Sequence, residues 1–384
     1  MTWKKLSVRA LAGVIAWLLS LSVAVPRAVA NDAFVLPKGV LRFTGGTSFL
    51  TATESYDNKG EKSALGATLG TTVQVLVPAL HPTSKVEVAI TREDLAFEYG
   101  LTDALSLSMQ LPMYLRASAK VLKNQDMDTA LMMLNTAGAP TAGRGKLGEL
   151  FQKLSQDGTK AGTFGDLLVG AKYQFLHSGS AFRRYDAGTY RAAVAFGTKL
   201  PTGSLADPDT NDISTTTAAN TKSFILGART YFDYQFATFF YLNFYTEHEY
   251  RFAGPSKSLL SDPQTLSYQV LNVKYQPGFY NHLELDFTFT PTIVDHLFSE
   301  SGLRITGDFT TAGKYTAVPV GQESLLAQSG TSSQAYTISP YIGVFYIGAP
   351  LPLKFQVITY LPLGGKNSYV VKGFSGILSV YVKF

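Results

Sequence analysis

The chain has 384 residues, 16% of them charged and 12% aromatic, with 33 lysines and arginines against 28 acids and no cysteine. Four of the cations, Lys4, Lys5, Arg9 and Arg27, fall in the first thirty residues with no acid, which leaves +1 of the formal +5 for the remainder. So neutral a remainder offers no basic face for nucleic acid; without thiols there is no disulfide framework, and stability must come from a large fold.

The first thirty residues read as an export signal. A basic start at Lys4, Lys5 and Arg9 is followed by the apolar "LAGVIAWLLSLSVAV" and by Ala28-Val29-Ala30, a small-residue cleavage site. The mature chain is expected to begin near Asn31, and Trp3 and Trp17, the only two tryptophans, leave with the signal. No later run approaches ~18 consecutive apolar residues, which excludes helical membrane spans.

What recurs along the rest of the chain is alternation, the period of a β-strand with unlike faces. Weaker candidates lie near 39–55 and 86–99. "LSLSMQL" then sets Leu105, Leu107, Met109 and Leu111 against Ser106, Ser108 and Gln110. "DLLVGAKYQF" (166–175), "YRAAVAFGTKL" (190–200), "FILGARTYFD" (224–233) and "FYLNFYTEHEYR" (240–251) repeat the pattern. A weak candidate near 264–276 precedes "LELDFTFT", where Leu283, Leu285, Phe287 and Phe289 oppose Glu284, Asp286, Thr288 and Thr290. Stretches near 334–347, "LKFQVITY" (353–360) and "GILSVYVKF" complete ~12 strands, a barrel-like number, and an even count puts both termini on one side. Register breaks around Thr91 to Asp94 and Val270 to Leu271 predict β-bulges. Helical periodicity occurs only around Met127 to Asn135 and Gly145 to Gln156.

Connection lengths decide what the apolar faces touch. "YGLTDA" (99–104), "YQFA" (234–237), "QPGFYN" (276–281) and "GAPLP" (348–352) are tight, whereas 56–85, 117–163, 201–221, 253–263 and 294–333 are long. Short periplasmic turns alternating with long external loops are the habit of outer-membrane barrels. The fold class read from the sequence is therefore all-β: a transmembrane antiparallel up-and-down barrel over 31–384, with 117–163 a long extracellular loop carrying short helices. The last strand ends on Phe384, an aromatic terminus of the kind the barrel-assembly machinery would recognise.

"EYGLTDALSLSMQLP" (98–112), "FGDLLVGAKYQFL" (164–176), "AFGTKLPTGS" (195–204) and "SPYIGVFYIGAPLPLKFQVITYLPLGGKN" (339–367) together resemble the meta-pathway phenol-degradation family of outer-membrane barrels. The resemblance spans roughly Glu98 to Phe384 and implies an outer-membrane transporter, often encoded beside aromatic catabolism. It transfers no functional residue, and the insertion at 117–163 is larger than the family's pattern.

"GRGKLG" (143–148) has the letters of a dinucleotide fingerprint but follows "NTAGAPTA" rather than a strand, so it reads as an external loop. "DPDTND" (207–212) has Asp212 at the sixth position and Ala218 at the twelfth of a calcium loop, which rules out an EF-hand and leaves a weakly cation-holding loop. His248 has lipid-facing parity with Thr230 and Thr246 nearby, yet no nucleophile motif accompanies it, so catalysis, a lipid hydrolase in particular, is not expected. The functional set is the inner wall: Lys172, Arg191, Lys199, Arg229 and Arg251 with Asp233, Glu247, Glu249, Glu284 and Asp286. Such mixed charge orients solutes in a pore, or else pairs across strands and fills a narrow barrel. Tyr241, Tyr245, Tyr341 and Phe345 on the same face suit an aromatic solute or plain packing. The function read from the sequence is facilitated diffusion of small aromatic or hydrophobic solutes, with outer-membrane lipid as partner and no cofactor. Energy-coupled uptake is not expected, since no plug domain precedes the barrel. The alternative is a structural or surface-binding barrel acting through its loops.

Overall fold

The structure is a computed structural model and describes residues 32–137, 145–178, 187–203, 223–262, 266–319, 332–348 and 351–384. The export signal and the acidic 207–212 loop lie outside these residues.

Twelve antiparallel strands form a closed ring: β1 (Val40–Tyr56), β2 (Ser84–Gly100), β3 (Leu105–Lys123), β4 (Leu167–His177), β5 (Tyr190–Leu200), β6 (Ile225–Ala237), β7 (Phe240–Arg251), β8 (Tyr280–Phe289), β9 (Leu297–Thr310), β10 (Ser333–Tyr346), β11 (Leu353–Lys366) and β12 (Ser368–Lys383). Each pairs with its sequence neighbour, and β12 returns to β1 from Val40 opposite Lys383 up to Tyr56 opposite Ser368. Closure removes every edge, so outside a few bulges the backbone of the wall is paired strand to strand, as lipid requires. The wall follows the alternation of the sequence. On β8, Leu283 and Phe289 are exposed, while Glu284, Asp286, Thr288 and Thr290 are buried inside. Aromatic girdles mark the two lipid boundaries: Tyr99, Phe175, Tyr190, Phe236 and Phe239 below, Phe224, Tyr250, Phe252, Phe279 and Tyr336 above.

The strand count agrees with the sequence reading, but one member differs. Residues 264–276 are not in the wall. Ser267–Gln276 pairs with Gly254–Asp262 and Lys314–Ala317 in a separate small sheet above the barrel. Its place is taken by β9, inside the expected 294–333 loop. Ser299, Ser301, Gly302 and Gly307 thin the alternation there, so the strand is faint in the sequence. Two consequences follow. "QPGFYN" lies at the external end of β8 and is no periplasmic turn; the short turn is 290–296. No register shift occurs at Val270–Leu271, where the ladder is regular, whereas the expected break at Thr91/Arg92 is present.

The long loops build a cap with its own core. Helix α1 (Ala67–Leu76), helix α2 (Gln125–Ala137) and helix α3 (Leu147–Leu154) bury Leu69, Val73, Met127, Leu131, Leu134, Leu150 and Phe151 together with Tyr268 of the external hairpin. Asn124 starts α2 by accepting the Met127 N–H at 3.0 Å, and Asp126 and Asp128 complement the helix dipole. Residues 117–123 belong to β3, and Gly158–Phe164 pairs with Met113 to Ala119 of that strand, so the loop proper is shorter than 117–163. Within "GRGKLG", Gly145 and Gly148 serve packing. A Cβ on Gly148 would lie 2.5 Å from the Asn135 nitrogen, so only glycine lets α3 cross α2 this closely.

Candidate functional site: the barrel lumen

The residues just before β1 fold into the barrel. Asp32, Ala33, Val35 and Leu36 are almost fully buried. The Asp233 carboxylate accepts the Ala33 N–H at 3.0 and 3.1 Å, and Gln174 Oε1 accepts the Val35 N–H at 3.3 Å. Lys172 Nζ stands 3.7 Å from Asp32, and the Arg191 guanidinium lies 5.8 Å from the centre of the Phe34 ring. Ala33 packs with Ala193, Ala195, Tyr231 and Tyr245 of the inner wall. This strap enters over the β2–β3 turn, where a Cβ on Gly100 would sit 2.0 Å from the Pro37 carbonyl oxygen. Sequence reasoning missed it, because "NDAFVLP" carries no periodicity. The bare backbone at Gly100 was the one local sign of a crossing chain.

All ten charged residues singled out from the sequence face inward, and the wall pairs them. Lys199 bonds Glu249, which also binds Arg251 at 3.2 Å. Arg229 meets Glu247 at 3.3 Å, and the Tyr245 hydroxyl donates to the same carboxylate at 2.6 Å. Arg304, buried on β9, lies 3.1 Å from both Glu284 and Asp286. Lys172, Arg191 and Asp233 serve the strap, with Asn243 donating to Asp233 at 2.6 Å. The structure adds pairs that the sequence reading left out: Arg42 with Glu98, Arg92 with Asp94 at 2.6 Å, and Lys354 with Glu300 at 2.9 Å. Arg42, Arg92, Asp94 and Glu98 lay in stretches read only as weak strands, and Glu300, the partner of Lys354, lay in a stretch read as loop.

The interior divides in two. Along β10–β12 and β1–β3 the upper lumen is filled by Leu50, Ile90, Tyr114, Tyr341, Ile358, Tyr360 and Ile377. Tyr341, a candidate contact for an aromatic solute, is 4% exposed and donates to Asp286 at 2.8 Å, which makes it a strut. Along β3–β7 the wall recedes instead. Gly170, Gly197 and Gly227 stand side by side across three strands, each with inward parity. They floor a cavity of ≈ 620 Å³, counting its solvent-open part, lined by Lys199, Arg229, Glu247 and Glu249 above the strap-binding Lys172. A second, smaller space of ≈ 250 Å³ touches Arg191, Asp233, Gln235 and Tyr241 near the lower rim. The strap's anchors Lys172 and Asp233 belong to the two different spaces. From above, the cap closes on the mouth through Leu154, which packs on Val86, Ala119 and Val121 of the upper inner wall.

His248 faces outward as expected, but its Nδ1 is 2.8 Å from Asn281 Oδ1, and the hydroxyls of Thr230 and Thr246 bond each other at 2.7 Å. Among the described residues no hydroxyl is bonded to the histidine in the arrangement a nucleophilic dyad requires.

The class defined by this closed wall, its girdles and its sorted connections is the bacterial outer-membrane β-barrel. No family model matches the chain, and no curated protein matches it either. Among solved structures it is similar to an outer-membrane channel from Pseudomonas putida F1, at 14% identity over 93% of this chain and 100% of that one, with a TM-score of 0.53. Looser matches include the toluene transporter TodX of Pseudomonas putida (9% identity, 91% and 90% coverage, TM-score 0.35) and the CymD monoaromatic hydrocarbon channel (10%, 91% and 89%, 0.35). The first match agrees with the barrel fold, and the outer-membrane barrel implied by the sequence motifs is the fold observed.

Proposed function

We propose that the chain is an outer-membrane channel through which small solutes, aromatic or hydrophobic ones among them, cross by facilitated diffusion. The observation that carries the reading is the glycine-floored cavity inside β3–β7. A barrel built only as a wall would fill that space, as the opposite half does. In this reading Lys199, Arg229, Glu247 and Glu249 line the path, and their alternating charge orients a polar group of the passing solute. Lys172, Arg191 and Asp233 hold the strap across the lower end. Arg251, Glu284 and Asp286 brace the wall. Assembly would use the terminal Phe384, which is 80% exposed.

The strap and the dense pairing favour a second reading, a closed structural barrel acting through its cap. Deleting residues 32–36 separates the two. The channel reading expects a low conductance in planar bilayers for the parent and a higher one for the deletion, with faster entry of small aromatics in liposome swelling. If neither protein conducts or passes solute, the structural barrel replaces the channel.

A further inference from the structure

The upper boundary of the lipid-facing wall is uneven. Over β6–β10 it is the aromatic girdle already described. Over β12 and β3 the outward runs end in cations, and Lys85 of the intervening β2 lies on the same face. On β3 the exposed or half-exposed Leu107, Met109, Leu111, Met113 and Leu115 give way to Arg116 and then Lys120. On β12 the outward Leu378 and Phe374 lead to Lys372, and on β2 Lys85 lies opposite Leu122. All four cations are exposed, and none forms an ion pair among the described residues. Glu87 shares the face opposite Lys120. Glu93, lower down, accepts a hydrogen bond from Thr47 at 2.6 Å.

The position of these charges limits what can meet them. They point sideways from the wall at the depth where its apolar run stops, so neither the lumen nor the cap reaches them. Lipid head groups occupy that layer. Unpaired arginine and lysine there attract anionic heads, and a guanidinium suits phosphate oxygens in particular. The patch is broad. Four residues of one strand separate Arg116 from Lys120, about 13 Å, and three strand spacings separate β12 from β3, about 14 Å. A single phosphate spans only part of that width.

We infer that the upper outer wall of β12–β3 binds the multiply phosphorylated head of an outer-leaflet glycolipid, with Arg116, Lys120 and Lys372 as its contacts. The inference rests on the barrel's place in the membrane and is independent of whether it conducts.

Native mass spectrometry of the full barrel in nonionic detergent tests it, with bis-phosphorylated lipid A and phosphatidylethanolamine as probes. The parent should retain lipid A in clear preference to phosphatidylethanolamine. Arg116→Gln/Lys120→Gln/Lys372→Gln should weaken lipid A by about a hundredfold, about fivefold per cation, with unchanged heat-resistant migration. Lys59→Gln/Lys314→Gln, which removes cations of the loops, should leave binding as in the parent. Should the triple variant fail to fold, Lys120→Gln alone is read against the fivefold expectation. Equal binding by parent and variant overturns the inference, as does equal retention of phosphatidylethanolamine. Displacement by millimolar inorganic phosphate would make the patch a small-anion site and overturn it too.

Discussion

On the inner wall of β10–β12 and β1–β3, Leu50, Ile90, Ile358, Tyr360 and Ile377 meet across the lumen and leave it full. On β4–β6 the corresponding positions are Gly170, Gly197 and Gly227, and the space before them is open. The hydrogen-bonded ladder is the same on both sides, since it is indifferent to side chains. What differs is volume. A barrel of about twelve strands lies between those small enough to be filled by their own side chains and those that hold a channel, and this chain uses both solutions within one ring. One half is packed; the glycine half, closed below by the strap, holds the candidate site.

The largest effect is expected at the seam between the halves. Arg304→Leu leaves Glu284 and Asp286 buried without their shared cation, and removing one partner of such a set costs about 3–5 kcal/mol. Urea titration in lipid vesicles should show that loss; a midpoint within error of the parent would mean that water reaches these acids and the seam is open. A smaller loss should follow Ile358→Ala, about 2–5 kcal/mol for a buried aliphatic cut to a methyl. Leu168→Ala, beside the cavity, should cost about 1 kcal/mol or less by comparison. Equal costs would erase the distinction between a packed half and an open one. The smallest change in stability, and the most selective in function, belongs to Gly227→Leu. A Cβ there meets nothing closer than 3.8 Å, so the side chain can grow into the cavity. Its stability should stay within about 1 kcal/mol of the parent while single-channel conductance falls. Unchanged conductance would place the solute path elsewhere.

The sequence determined the class of fold, because lipid on one side of a two-faced strand imposes a period of two that few other settings maintain so long. It determined the inward parity of all ten charged candidates for the same reason. It also located two of the three cap helices, since the periodicity of Met127–Asn135 and Gly145–Gln156 is local, but not α1 (Ala67–Leu76), which falls in a stretch read as loop. Where both faces of a strand are apolar, as at Phe49–Leu50 and Ile90–Ala89, alternation weakens, and β1 and β2 of the packed half stayed faint. Small residues did the same to β9, while the external Ser267–Gln276 alternated well enough to be taken for wall. Only the tertiary structure decided which strand closes the ring, that three glycines from separate strands share one floor, and that Asp32–Leu36 lies inside. Those facts depend on contacts between residues as distant in the chain as Ala33 and Asp233. No local pattern records such a contact, because the carboxylate and the N–H it holds meet only after the wall has closed.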